Sequence, residues 1–195
     1  MLRKLLQHKN VILASGSPRR QQFFKDLDID FEIRVKSVDE VYPPTLQGAE
    51  ISDYLAVLKT KPFQGELEPN DLLITSDTIV WHQGKALGKP KDADEAFAML
   101  RSMSGASHEV FTSVCFTTPD SQKTVHACTK VFFKSLSDDE IHYYINTCQP
   151  FDKAGAYGIQ EWIGNVAVEK IEGSYVNVMG MPMHLVYKTL REFIS

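Results

Sequence analysis

The sequence predicts an α/β fold, and three observations carry that expectation. Short apolar runs of strand length recur at residues 10–15, 31–35, 72–81, 110–117 and 123–134. Interspersed with them are helical patterns that open on recognisable caps: Ser17 with Pro18, Asp92 with Glu95, and Ser137 with Glu140. The composition is that of an ordinary globular chain, 195 residues with 43% apolar and 24% charged side chains. That length suits one core or two small lobes, and nothing in it fits disorder, a collagen-like repeat or a coiled coil.

The elements follow in order. Residues 10–15 form a strand that ends in Ala14-Ser15-Gly16. Ser17 as N-cap and Pro18 as first helical residue then start a helix to about Leu27, with Phe23, Phe24 and Leu27 on its apolar face. Residues 31–35 alternate like a strand, and Asp39 and Glu40 lie just past its end, before a Pro43-Pro44 loop. Residues 51–61 read as a helix with Leu55 and Leu58 inward. Lys59 lies on that helix, by itself an ordinary solvated charge. Residues 72–76 have the pattern of a buried strand and continue through Asp77-Thr78 into Ile79, Val80 and Trp81.

Gln83-Gly84 predicts a turn that returns through Lys85 to Pro90. The Asp92 and Glu95 spacing predicts a capping box for a helix to Met103, with Ala96, Met99, Leu100 and Met103 inward. Two strands joined by Pro119-Asp120-Ser121 predict an antiparallel hairpin, and Ser137 with Glu140 opens a helix towards Cys148. Pro182 starts the last helix, with Leu185, Val186 and Leu190 on one face. Met179, Met181 and Met183 read as core filler rather than a metal box.

Composition also excludes classes of function. With 21 basic against 25 acidic residues the chain is too acidic to coat a nucleic acid polymer. No apolar run approaches the ~18 residues of a membrane span, and the first residues lack the apolar stretch of a signal peptide. Cys115, Cys128 and Cys148 are odd in number and lack CxxC spacing, so a reduced, cytoplasmic protein is expected, without a disulfide framework or the usual zinc site.

The charge distribution says more than its sum. The first 25 residues hold six basic side chains and no acidic one. Two of these, Arg19 and Arg20, fall in the first turn of a helix, where the dipole disfavours cations by ~0.3–1 kcal/mol each. A strand, a Gly-Ser turn and a helix N-terminus together make an anion site, and a polyphosphate there would explain the arginines. The spacing is not that of a P-loop. Asp77 is the second signal, because a carboxylate inside an apolar strand costs several kcal/mol unless it is paired or binds a metal. Lys89 is held between Gly88 and Pro90 in a rigid setting. In residues 151–160, Gly155 and Gly158 bracket Tyr157 after Asp152 and Lys153. That stretch serves either as a structural turn or as a loop that lets a ligand come close, with Lys153 among the side chains placed to read it.

At these residues the sequence resembles the Maf family of nucleotide pyrophosphatases. The resemblance rests on Leu13-Ala14-Ser15-Gly16-Ser17-Pro18-Arg19-Arg20, Ser76-Asp77-Thr78-Ile79-Val80, Leu87-Gly88-Lys89-Pro90 and Met103-Ser104-Gly105 with His108-Glu109-Val110. Asp152-Lys153-Ala154-Gly155-Ala156-Tyr157-Gly158-Ile159-Gln160 and Ile171-Glu172-Gly173-Ser174-Tyr175 complete it, so the likeness covers nearly the whole chain. It implies a single domain with an elongated mixed-sheet, two-lobed fold like that of inosine triphosphate pyrophosphatases, with a central nucleotide-binding groove. It implies a cytoplasmic hydrolase that cleaves nucleoside triphosphates between the α and β phosphates with Mg2+ or Mn2+, a family link to septum formation, and homodimers.

Residue by residue, the resemblance makes Asp77 the catalytic aspartate and places Glu40 beside it at the metal. It puts Ser15, Arg19, Arg20, Lys59 and Lys89 on phosphate, and gives substrate sorting to Arg19, Thr78 and Gln160. The late loop is the version typical of the dTTP/UTP branch. A 7-methyl-GTP pyrophosphatase of the same family, or a nucleotide-binding regulator of cell division without turnover, are the alternatives. Two stretches depart from the family pattern: the helix before Lys59 lacks the usual arginines, and Cys148-Gln149-Pro150 replaces Gly-Glu-Pro. Chemically the set is coherent: four cationic side chains and a metal match the charge of a triphosphate. Gln160 offers both a donor and an acceptor to a pyrimidine edge.

Overall fold

A computed structural model describes residues 2–193. Its helices are α1 (Leu2–Leu5), α2 (Pro18–Asp26), α3 (Ala49–Leu58), α4 (Ala93–Met103), α5 (Asp138–Cys148), α6 (Trp162–Ala167), α7 (Tyr175–Val178) and α8 (Met183–Glu192). The strands are β1 (Asn10–Leu13), β2 (Glu32–Ile33), β3 (Asp71–His82), β4 (Lys85–Leu87), β5 (Ser107–Thr117), β6 (Gln122–Phe133) and β7 (Val168–Glu172). They form a mixed seven-strand sheet in the order β2-β1-β3-β5-β6-β7, with β4 also on β3.

β3 organises what matters for function, because it changes partner along one edge. Its first residues pair in parallel with β1, from Asn10 opposite Asp71 to Leu13 opposite Ile74. Its last residues pair antiparallel with β4, from Val80 opposite Leu87 to His82 opposite Lys85. Between these two ladders residues 75–79 have no strand on that edge among the described residues, and Asp77 is at the centre of that stretch.

The chain divides into two compact units, one of Met1–Asp77, Thr112–Ala127 and Gly180–Ser195, the other of Thr78–Phe111 and Cys128–Met179. The first unit packs Phe24 of α2 and Val186 and Leu190 of α8 against Leu13, Leu72 and Phe116. The second packs Leu100 of α4 and Ile141 and Tyr144 of α5 against Val80, Val110 and Phe133. Each such side chain, once fully buried, contributes about 1.5–3 kcal/mol of transfer free energy.

The helix starts show where local chemistry was readable. Ser137 accepts from Glu140 N–H while the Glu140 carboxylate accepts from Ser137 N–H at 2.8 Å, so that box closes on both sides. Asp92 accepts from Glu95 N–H at 2.8 Å, but the Glu95 carboxylate takes Lys91 N–H instead, so that box is half made. Ser17 makes no side-chain cap; its own N–H donates to Ser15 Oγ at 3.3 Å. The strand expected over residues 31–35 shrinks to Glu32–Ile33, exposed and paired on one side only, where a ladder has little to hold it. The helix expected to reach residue 61 ends at Leu58, since Pro62 has no N–H to give the Leu58 carbonyl, and a 3-10 turn over Lys61–Phe63 follows. α1, α6, β7 and α7 are four to six residues long and had no periodicity to betray them.

Candidate active site

Strand alternation puts Thr75 and Asp77 on one face of β3. The Thr75 hydroxyl donates to the Ala56 carbonyl of α3 at 2.7 Å, which fixes that helix against the strand. Lys59 is the C-cap residue of α3, a favourable place for a cation, and one turn beyond Ala56 it reaches Asp77. Its ammonium lies 2.6 Å from Asp77 Oδ1 and 3.0 Å from Glu40 Oε1. Two carboxylates and one lysine, far apart in sequence, thus meet at one point. Asp77 is only 6% exposed. Burial pushes its carboxyl above the usual carboxylate range, against the opposing pull of Lys59 and Arg20.

Arg20 explains one of the two cations set against the α2 dipole. Its guanidinium donates to the Ser76 carbonyl from Nη1 and to the Gly180 carbonyl from Nε, each at 2.9 Å. It thereby occupies the edge of β3 that no strand covers, one residue from Asp77. Burial pulls its pKa down and the Asp77 charge acts in the opposite sense. Arg19, half-buried, makes no ion pair among the described residues. Ser15 is buried at the end of the β1 segment, its carbonyl accepting from Gln21 Nε2 at 3.2 Å. The first unit therefore holds Ser15, Arg19, Arg20, Glu40, Lys59 and Asp77.

The second unit holds Thr78, Lys89, Lys153 and Gln160. Lys89 is exposed, and its neighbour Gly88 accepts the Gly155 N–H at 3.0 Å, which ties the late loop to that segment. Gly155 sits at φ +68, and a Cβ there would press on the Val80 side chain at 3.0 Å. Lys153 is buried, its ammonium 2.6 Å from Asp152 and 3.1 Å from Glu161. Gln160 is exposed at the end of the loop.

Two donors and acceptors of this loop escaped sequence reasoning. Tyr157 OH lies 2.8 Å from His108 Nε2, both buried. Tyr144, fully buried on α5, donates to Glu161 and accepts from Gly158 N–H at 3.0 Å. His108 stood inside a recognised block, but nothing in the sequence singled out Tyr144 on its helix.

His108 also sets a pH dependence. It is ringed by Phe133 at 4.9 Å and Tyr157 at 5.3 Å, and burial lowers its pKa from 6.5 to about 3. The unfolded ring binds a proton below pH 6.5 that the folded ring refuses. Stability is therefore fully present above 6.5 and falls with pH towards 3, by up to about 1.4 kcal/mol per pH unit. Urea midpoints at successive pH values should show this slope, and a His108→Gln chain should lose it; equal slopes in both would remove His108 as the cause.

Among the described residues no helix is long and apolar enough to cross a membrane. The family model of Maf-like proteins matches residues 10–193. A dTTP/UTP pyrophosphatase of Flavobacterium johnsoniae is 60% identical over 194 residues, covering 100% of both chains. Proteins of the same name from Christiangramia forsetii and Bacteroides fragilis are 55% and 51% identical, over 100% and 98% of this chain and 100% of each relative. A solved structure of the Staphylococcus aureus Ham1 protein superposes with a TM-score of 0.53 at 15% identity, covering 94% of this chain and 99% of that one, a likeness of fold. With the matched region spanning almost every residue described above, the chain belongs to the Maf family.

Proposed function

We propose that this chain is a nucleoside triphosphate pyrophosphatase that hydrolyses dTTP and UTP to the monophosphate and pyrophosphate. The observation that carries the reading is Asp77, buried where one edge of β3 has no strand beside it, its carboxylate and that of Glu40 both on the Lys59 ammonium. A carboxylate kept out of water in this way, with its pKa raised, is suited to take a proton from an attacking water. The names of the curated relatives and the late loop support the choice of pyrimidine nucleotide.

Asp77 orients the water and accepts its proton as oxygen attacks the α phosphorus. Lys59 holds the two carboxylates in one place and adds positive charge where phosphate oxygens gain negative charge. Arg20 holds the backbone beside Asp77 by its Ser76 carbonyl, and Arg19 and Ser15 of the same unit take phosphate; Lys89 of the second unit is a phosphate contact in its own right. The donors fit a hard divalent cation: Glu40 and Asp77 offer oxygen and converge on one ammonium. No group of three or more His, Cys, Asp or Glu side chains with metal-site geometry occurs among the described residues. Glu40 and Asp77 would hold such a cation, whose remaining ligands would be water and substrate oxygens. Charge neutralisation on the polyphosphate and a more acidic water are what that cation supplies when bound. The free cysteines Cys115, Cys128 and Cys148 suit the cytoplasm as the compartment.

Gln160 reads the base, with Thr78 of the same unit sharing in the selection. Gln160→Ala is expected to lower the dTTP-to-GTP ratio of kcat/KM about tenfold, because a site that pairs polar edges rejects a base that leaves them unpaired. The assay is chromatographic identification of products from dTTP, UTP, CTP, GTP and 7-methyl-GTP. Monophosphate and pyrophosphate from the pyrimidines support the reading. Diphosphate and orthophosphate, or a preference for 7-methyl-GTP, overturn it.

A further inference from the structure

The turn that carries Gln160 is clamped on both backbone groups of one glycine. Gly158 N–H donates to Tyr144 Oη at 3.0 Å, and Gly158 C=O accepts from Glu161 N–H at 3.0 Å. The clamp closes on itself, because the Tyr144 hydroxyl donates to Glu161 Oε2. Both side chains lie close against this glycine: a Cβ at Gly158 would be 2.9 Å from Glu161 Cδ and 3.0 Å from Gln160 Nε2. The other carboxylate oxygen, Glu161 Oε1, takes the buried Lys153 ammonium, which also binds Asp152. One carboxylate therefore joins the start of the 152–161 loop to its end and to α5.

We infer that Glu161 and Tyr144 are positioning residues for base selection: through Gly158 they set where the Gln160 amide stands. The inference rests on the reading of Gln160 as the base-contacting residue. Glu161 and Tyr144 act through the turn. Burial and the Glu161 carboxylate raise the Tyr144 pKa, so the phenol keeps the proton that it donates. The Lys153 ammonium, held between two carboxylates, serves this brace in the same way.

The test compares Glu161→Ala, Glu161→Gln and Tyr144→Phe with Gln160→Ala, each assayed on dTTP and GTP with its thermal midpoint recorded. Glu161→Ala should lower the dTTP-to-GTP ratio of kcat/KM about tenfold, through KM for dTTP, with kcat held within about threefold. Glu161→Gln should fall between the parent and Glu161→Ala, since its one amide oxygen can still accept from Tyr144 but its NH2 then faces the Lys153 ammonium. Tyr144→Phe loses one oxygen and should give the same direction of change even if Glu161→Ala does not fold. Unchanged ratios in Glu161→Ala and Tyr144→Phe, where Gln160→Ala has lost selectivity, overturn the inference alone. An unchanged ratio in Gln160→Ala overturns the base-reading role and the inference with it.

Discussion

Asp77→Asn is expected to cut pyrophosphate release by about 10^3-fold while nucleotide still binds. The amide has the shape of the carboxylate and its oxygen can keep the 2.6 Å contact with Lys59. It cannot accept a proton from water, which is the property that the reaction draws on. Burial makes the native group more than an anchor: a carboxyl pushed upward by desolvation is a stronger base than an exposed one. Kinetics on dTTP, paired with equilibrium binding of a non-hydrolysable analogue, separate the two effects. Near-normal hydrolysis by Asp77→Asn would take this residue out of the mechanism.

Lys59→Met is expected to act on both stability and rate. Its removal leaves Asp77 buried without its nearest cation, and breaking such a pair costs about 3 kcal/mol. Turnover should fall about 10^2-fold, the range seen when one stabilising donor is lost from a site. The Lys59→Met, Asp77→Asn double variant should recover much of that loss, because Asp77 no longer stands buried without its lysine, while Arg20 keeps its two backbone carbonyls. Denaturant unfolding of the four chains reads this cycle directly. A Lys59→Met chain as stable as the parent would show that the ion pair is not what holds Asp77 in place.

Much of this architecture is local and so was legible. Ser137 and Glu140 announce α5 because a cap needs only residues three apart, and β3 shows itself by the apolar stretches Leu72–Ile74 and Ile79–Trp81. Asp77 stood out because it is the acid set between those two stretches. What could not be read from the residues alone was convergence. Lys59 read as an ordinary helical charge, and only the family resemblance singled it out, because its contacts with Asp77 and Glu40 span distant parts of the chain. Arg20 was read as a partner for an anion, and no pattern in sequence shows that it also serves two backbone carbonyls. Tyr144 and Glu161 stand 17 positions apart, and neither carries a mark of the other.

The switch of partner along β3 also decides where this chain tolerates changes of length. Asp77 stands three positions past Ile74, the last β3 residue in register with β1. One extra residue between them would turn the carboxylate to the opposite side of the sheet and displace it by about 3.3 Å. The stretch 41–47, outside any helix or strand, can lengthen without altering a single pairing. An insertion is therefore absorbed in one place and inactivating in the other, even where both leave composition and charge untouched.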